Sequence, residues 1–180
     1  MKILAVGDVV SKPGLTTLRR LLRAVKKQHA ADFTIVNGEN AAGVGITPDQ
    51  ADEIFAAGAD VITLGNHVYN KRQIVPYLDD CAYILRPANN APQQPGRGFG
   101  IYDCKGYRLL VMNLIGRCEM AFGPDNPFLC ADRILREARG QYDLAVCEIH
   151  AGATSEKLAK GIYLVGRSSA VYGTHTHVQT

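Results

Sequence analysis

A chain of 180 residues with 47% hydrophobic and 21% charged residues carries too much apolar content for disorder and enough to bury one substantial core. Its formal charge is only +3, and its densest basic pairs, Arg19-Arg20 and Lys26-Lys27, share one helical pattern. That pattern reads as a solvated helix face rather than a track for nucleic acid. The apolar run Ile3-Leu4-Ala5-Val6 is too short for a signal peptide or a membrane span. Cys81, Cys104, Cys118, Cys130 and Cys147 have no C-x-x-C spacing and read as reduced, mostly packed cysteines of a cytoplasmic protein.

Lys2 to Val6 reads as a buried strand ending at Gly7-Asp8, and Leu15 to Gln28 as a helix with Leu18, Leu21, Leu22 and Val25 at helical spacing. Phe33 to Val36 is a second strand, running into Asn37-Gly38-Glu39-Asn40. Thr47-Pro48-Asp49-Gln50 has the composition of a capping box, which predicts a helix to about Ala57. Val61 to Leu64 is a third strand broken by Gly65-Asn66-His67, Gln73 to Leu78 a short helix, and Tyr83 to Leu85 a fourth strand. Phe99 to Asp103 and Tyr107 to Asn113 flank Lys105-Gly106 as a hairpin, so the sheet arrangement is expected to be mixed. A long loop from Leu114 to Pro127 leads to a helix over about Leu129 to Arg139. Leu144 to Ile149 is a buried-type strand ending at His150. Thr154 or Ser155 then caps a helix reaching Leu164, and Ala170 to Tyr172 is the last strand before Gly173 and the histidines.

Five strands thus stop at residues able to bind a metal: Asp8, Glu39-Asn40, Asn66-His67, His150, and the pair His175 and His177. On extended backbone the last two would point the same way. Singly, each has an ordinary reading: a cap for Asp8, a surface acid for Glu39, turn chemistry for Asn66, a satisfied core histidine for His150. Together they are expected to converge outside the carboxyl ends of the strands, where open α/β sheets bind ligands. Carboxylate, amide and imidazole without thiolate suit iron, manganese or zinc, and two such ions about 3.5–4 Å apart are the usual apparatus for phosphate ester hydrolysis. Gly43-Val44-Gly45 lacks the remainder of a dinucleotide fingerprint or a P-loop, and no Gly-x-Ser-x-Gly elbow is present.

Five segments resemble the YmdB-type branch of the calcineurin-like metallophosphoesterases: Gly-Asp-Val-Val at 7–10, Asn-Gly-Glu-Asn-Ala-Ala-Gly at 37–43, Thr-Leu-Gly-Asn-His at 63–67, His-Ala-x-Ala-Thr-Ser-Glu-Lys at 150–157 and Gly-Thr-His-Thr-His-Val-Gln-Thr at 173–180. The resemblance covers essentially the whole chain. It implies one α/β domain over 1–180, an αββα sandwich with mixed sheets, whose strand-end loops carry a dinuclear metal site. One ion would take Asp8, Asn40 and His177, the other Asn66, His150 and His175, with Glu39 bridging. Iron is the leading metal, ahead of manganese or zinc. Where the wider superfamily has a histidine near the first aspartate, Val10 stands here, and Asn40 takes over that coordination.

The activity implied is hydrolysis of a cyclic nucleotide, 2′,3′-cyclic first, or of another small phosphodiester. A metal-held hydroxide would attack, with His67 as general acid on the leaving group. The alternative is a non-catalytic metal- or nucleotide-binding regulatory module. No stable nucleic-acid complex and no membrane association are expected. Family members continue for several dozen residues past the histidine pair, so the resemblance implies a domain incomplete at its C-terminal end. An uncovered sheet edge would favour a homo-oligomer, dimer or tetramer. Three departures stand out: Gly152 replaces a usual glutamate, an acid expected to orient His150; Tyr69-Asn70 replaces Trp-Asp; and Ser11 replaces a glycine.

Overall fold

The computed structural model describes residues 1–120 and 123–180. Its elements are β1 (Ile3–Val6), α1 (Ser11–His29), β2 (Phe33–Asn37), α2 (Pro48–Ala57), β3 (Val61–Thr63), α3 (Ile74–Asp80), β4 (Ile84–Leu85), β5 (Phe99–Cys104), β6 (Tyr107–Ile115), α4 (Pro127–Glu137), β7 (Leu144–His150), α5 (Thr154–Tyr163) and β8 (Ala170–Thr174). They form two four-stranded sheets, in the orders β1-β2-β3-β4 and β5-β6-β7-β8.

The first sheet is parallel throughout, which corrects the expectation that both are mixed. Each of its strands returns through a helix, α1, α2 or α3, and a helical crossover restores the strand direction. The hairpin lies in the second sheet, where β5 and β6 are antiparallel and β6, β7 and β8 parallel.

Period-two alternation decides which side chains meet between the sheets. In β2, Phe33 and Ile35 join Val61, Leu85, Tyr102, Leu109, Val111 and Val146 in a cluster drawn from both sheets. Their neighbour Val36 faces the other way, toward α1, α2 and α3. In β6, Leu110, Met112 and Leu114 likewise pack against Cys130, Ala131 and Ile134 of α4. The result is a layered sandwich with helices outside both sheets.

The Thr47 capping box forms as expected, with Gln50 N donating to Thr47 Oγ1 at 3.4 Å and Thr47 N to Gln50 Oε1 at 3.1 Å. Helix α5 differs: its N-cap is Ala153, without a side-chain bond, and Thr154 already lies inside the first turn. Helix α4 starts two residues earlier than expected, because Asn126 Oδ1 accepts from Phe128 N and Leu129 N. The expected loop from Leu114 shortens, since β6 continues to Ile115; positions 121 and 122 within it lie outside the described residues. Arg86 is buried and donates to the carbonyls of Pro87, Gln94, Pro95 and Gly96, pinning the Pro- and Gly-rich loop between β4 and β5. Among the described residues no helix is long and apolar enough to cross a membrane.

The sheets are tied together at the end where β1, β2, β3, β7 and β8 finish. Asn113 of β6 donates to the carbonyls of Leu64 and Leu85 at 2.6 and 2.9 Å, and Asn37 of β2 donates to Glu148 of β7 at 2.6 Å. The five strand ends therefore share one rim.

Candidate metal centre

At this rim the donor residues meet in two groups. His150 Nε2 lies 3.0 Å from Glu39 Oε1, 3.1 Å from Asn66 Oδ1 and 3.1 Å from His175 Nδ1. Beside it, Asn40 Nδ2 lies 3.1 Å from Glu39 Oε1, 3.4 Å from Asp8 Oδ2 and 3.3 Å from His177 Nε2, and His177 Nε2 is 3.3 Å from Asp8 Oδ2. Glu39 belongs to both groups. His67 stands at the edge, its backbone N–H donating to Glu39 Oε2 at 3.1 Å and its ring Nε2 3.1 Å from Asn66 Nδ2.

Contacts of this kind cannot all be hydrogen bonds. A ring nitrogen carries at most one hydrogen, so His150 Nε2 can satisfy only one of its three neighbours. Oxygen and nitrogen donors packed edge to edge at about 3 Å instead match the edges of a coordination shell with metal–ligand bonds of about 2.1 Å. In the second group the Asn40 amide needs only a half-turn to present Oδ1 in place of Nδ2. Gly65 supports the same reading: a Cβ there would fall 2.3 Å from both Glu39 Oε2 and His150 Nε2, inside the donor cluster. Glu39 and His150 are fully buried, and burying such groups is costly unless they pair or hold an ion. Glu39, His150 and His175 of the first group could hold a metal ion, and the second group sets carboxylate, amide and imidazole donors beside them.

The backbone around the histidine pair departs from the extended geometry expected of it. Strand β8 ends at Thr174, and His175 and His177 take φ of 90° and 57°. The two rings consequently go to different groups, His175 beside His150 and His177 beside Asp8. Positive φ at a residue other than glycine costs of order 1–3 kcal/mol and persists where surrounding contacts impose it. Here His175 N donates to Asp8 Oδ1 at 3.0 Å, and Lys157 Nζ donates to Thr176 Oγ1, between the histidines, at 3.0 Å.

Burial pushes the Glu39 carboxyl up, but the His150 ring and the His67 N–H outweigh it and leave the group below its ordinary value. Burial pushes His150 down, and the facing carboxylates, Glu39 first, more than reverse this. His175 moves below its ordinary value, through burial and the neighbouring His150 ring.

The rim also holds residues that the sequence reading left out. Glu148, Asn37 and Thr174 are buried behind His150, and Thr174 Oγ1 lies 2.9 Å from His150 Nδ1. At position 152 there is no acid, and a Cβ on Gly152 would meet Glu119 and the Cys118 carbonyl. One signal was available: Glu148 is a charged residue in the apolar run Leu-Ala-Val-Cys-Glu-Ile-His, two positions before His150 and so on the same strand face.

The family described as YmdB-like protein matches residues 4–180. The chain belongs to this family. It is 45% identical over 183 residues to the 2′,3′-cyclic-nucleotide 2′-phosphodiesterase of Bacillus subtilis, covering all of this chain and 68% of that one. Among solved structures it superposes with a TM-score of 0.92 on a hypothetical protein from Thermus thermophilus, at 38% identity over 100% of this chain and 69% of the other. A novel phosphatase from Mycoplasma pneumoniae superposes with the same score at 28% identity, over 100% and 66% of the respective chains. The YmdB-like chain thus spans about two thirds of the length of these relatives.

Proposed function

We propose that the chain is a dinuclear-metal phosphodiesterase acting on cyclic nucleotides, with 2′,3′-cyclic nucleotides first. The observation that carries this is the packing of seven donor residues into two groups that share Glu39. Asp8, Asn40 and His177 would hold one ion, and Asn66, His150 and His175 the other, with Glu39 common to both. Iron leads for the metal, with manganese and zinc the alternatives. Bound there, such ions polarise phosphate oxygens and activate water. The choice of 2′,3′-cyclic substrates draws on the name of the Bacillus relative.

The chain's own residues supply position and a proton. His67 is held at the rim by its N–H on Glu39, and its half-exposed ring delivers a proton to the leaving ribose oxygen, a step that typically contributes about 10²–10⁴-fold. Asn66 touches both sides of this arrangement, with Oδ1 toward His150 and Nδ2 toward His67, so it fixes the distance between the proton donor and the donor cluster. Metal analysis of the purified chain, paired with assays on 2′,3′-cyclic AMP, 3′,5′-cyclic AMP and bis-p-nitrophenyl phosphate, tests the proposal. The expected result is close to two ions per chain and fastest turnover of the 2′,3′-cyclic substrate. Metal-replete protein that hydrolyses none of the three would overturn it in favour of a non-catalytic binding module.

A further inference from the structure

Behind the rim, the fully buried Glu148 carboxylate takes part in none of the ion pairs among the described residues. Three donors converge on it instead: Asn37 Nδ2 at 2.6 Å and Thr174 Oγ1 at 2.7 Å on Oε1, and the Tyr172 hydroxyl at 2.7 Å on Oε2. Thr174 pairs in register with His150 across β7 and β8, which places its hydroxyl between the carboxylate and the imidazole. A threonine hydroxyl has one hydrogen and can accept as well as donate. With that hydrogen given to Glu148, Oγ1 faces His150 Nδ1 at 2.9 Å as an acceptor, so the ring must bring the hydrogen. Asn37 Nδ2 is also 3.4 Å from Nδ1, but its 2.6 Å bond to Glu148 is much the shorter.

We propose that Glu148 and Thr174 form a relay that holds a hydrogen on His150 Nδ1 and so turns Nε2 toward an ion. Nε2 is the atom that faces Glu39, Asn66 and His175. Metal-ligating histidines commonly give their other N–H directly to a carboxylate or carbonyl, which sets the tautomer and raises ligand basicity. Here a hydroxyl is interposed, and the negative charge sits one residue further back. Thr174 and Glu148 are positioning residues, acting through His150. The inference rests on the two-metal reading: Nε2 also faces the acceptors Glu39 Oε1 and Asn66 Oδ1, so it is an ion on Nε2 that leaves the ring its single hydrogen on Nδ1, where Thr174 Oγ1 receives it.

Two measurements test it. Nitrogen-15 imidazole spectra of the zinc-loaded wild-type chain should show His150 bound through Nε2 with a slowly exchanging hydrogen on Nδ1 that exchanges fast in Thr174→Val; binding through Nδ1, or a fast-exchanging Nδ1 hydrogen in the wild type, overturns the relay. Competition against a chelator should then show Thr174→Val weakening binding of one ion by about 10–100-fold, with Thr174→Ser restoring it. Wild-type affinity in Thr174→Val also overturns the relay, and if that variant fails to fold the wild-type spectrum still decides. A wild-type chain that binds no transition metal overturns the two-metal reading instead, and the Thr174 contact is then read from slow exchange of an Nδ1 hydrogen that Thr174→Val makes fast.

Discussion

Adding one methyl group at Gly65 is a sharp test of the donor cluster. The backbone there has no positive φ, so alanine is conformationally acceptable, and the whole effect must come from contact. A Cβ at this position would lie 2.3 Å from Glu39 Oε2 and from His150 Nε2, and 2.4 Å from His150 Cδ2. Ordinary contact at about 3.5 Å then requires these side chains to retreat by about 1 Å. Displacements of that size in a reacting constellation cost on the order of 10²-fold in rate, and overpacking costs about 1–3 kcal/mol of stability. For a chain of this size the second figure corresponds to a drop of roughly 2–12 °C in Tm. The expected outcome is a folded Gly65→Ala protein with less than two bound ions and turnover reduced about 100-fold, read by metal analysis, phosphodiesterase assay and thermal melts. Gly7→Ala is the matched control, because it adjoins Asp8 but its added Cβ meets nothing within 4 Å. A Gly65→Ala protein with full metal content and parental turnover would refute the placement of Glu39 and His150 as facing ligands.

His67→Ala should lower turnover by about 10²–10⁴-fold with metal content nearly unchanged, while loss of metal would make His67 a ligand. Stripping the chain with a chelator should lower Tm, since an ion present at about 100 times its Kd adds about 2.7 kcal/mol to the folded state; an unchanged melt counts against the site. Buried Lys160 donates to the Pro127 carbonyl at 2.5 Å and lies 4.7 Å from the Phe128 ring centre, and burial pulls its ammonium from 10.5 down to about 8. Between these values the unfolded chain holds more protons than the folded one, so stability rises with pH from 8 to 10.5, by at most about 1.4 kcal/mol per pH unit. Urea melts should show the parent gaining on Lys160→Met across that window, and a constant difference between about pH 7 and pH 10 would refute the burial argument.

Local patterns were legible where a few neighbouring residues decide the outcome. The Thr47-Pro48-Asp49-Gln50 box, the apolar run of β2 and the turn at Lys105-Gly106 all form where their residue types place them. The donor set at the strand ends was legible for the same reason, since each residue follows an apolar strand directly. Features that depend on partners distant in the chain were not. Arg86, a charged residue beside Pro87, is buried because four carbonyls of its own loop surround the guanidinium. The parallel first sheet follows from helical crossovers rather than from any strand's own pattern.

The sequence by itself determined which chemistry stands at each strand end, because side-chain periodicity and turn residues act over a few positions. Only the tertiary structure decided how that chemistry is divided. His150 meets Asn66 across 84 positions and His177 meets Asn40 across 137, distances that only the stacking of the two sheets can close. The same stacking bends the chain after Thr174, so that the two neighbouring histidines part toward different groups. It also seats Glu148 and Thr174 behind His150, with the Thr174 hydroxyl between the carboxylate and the ring.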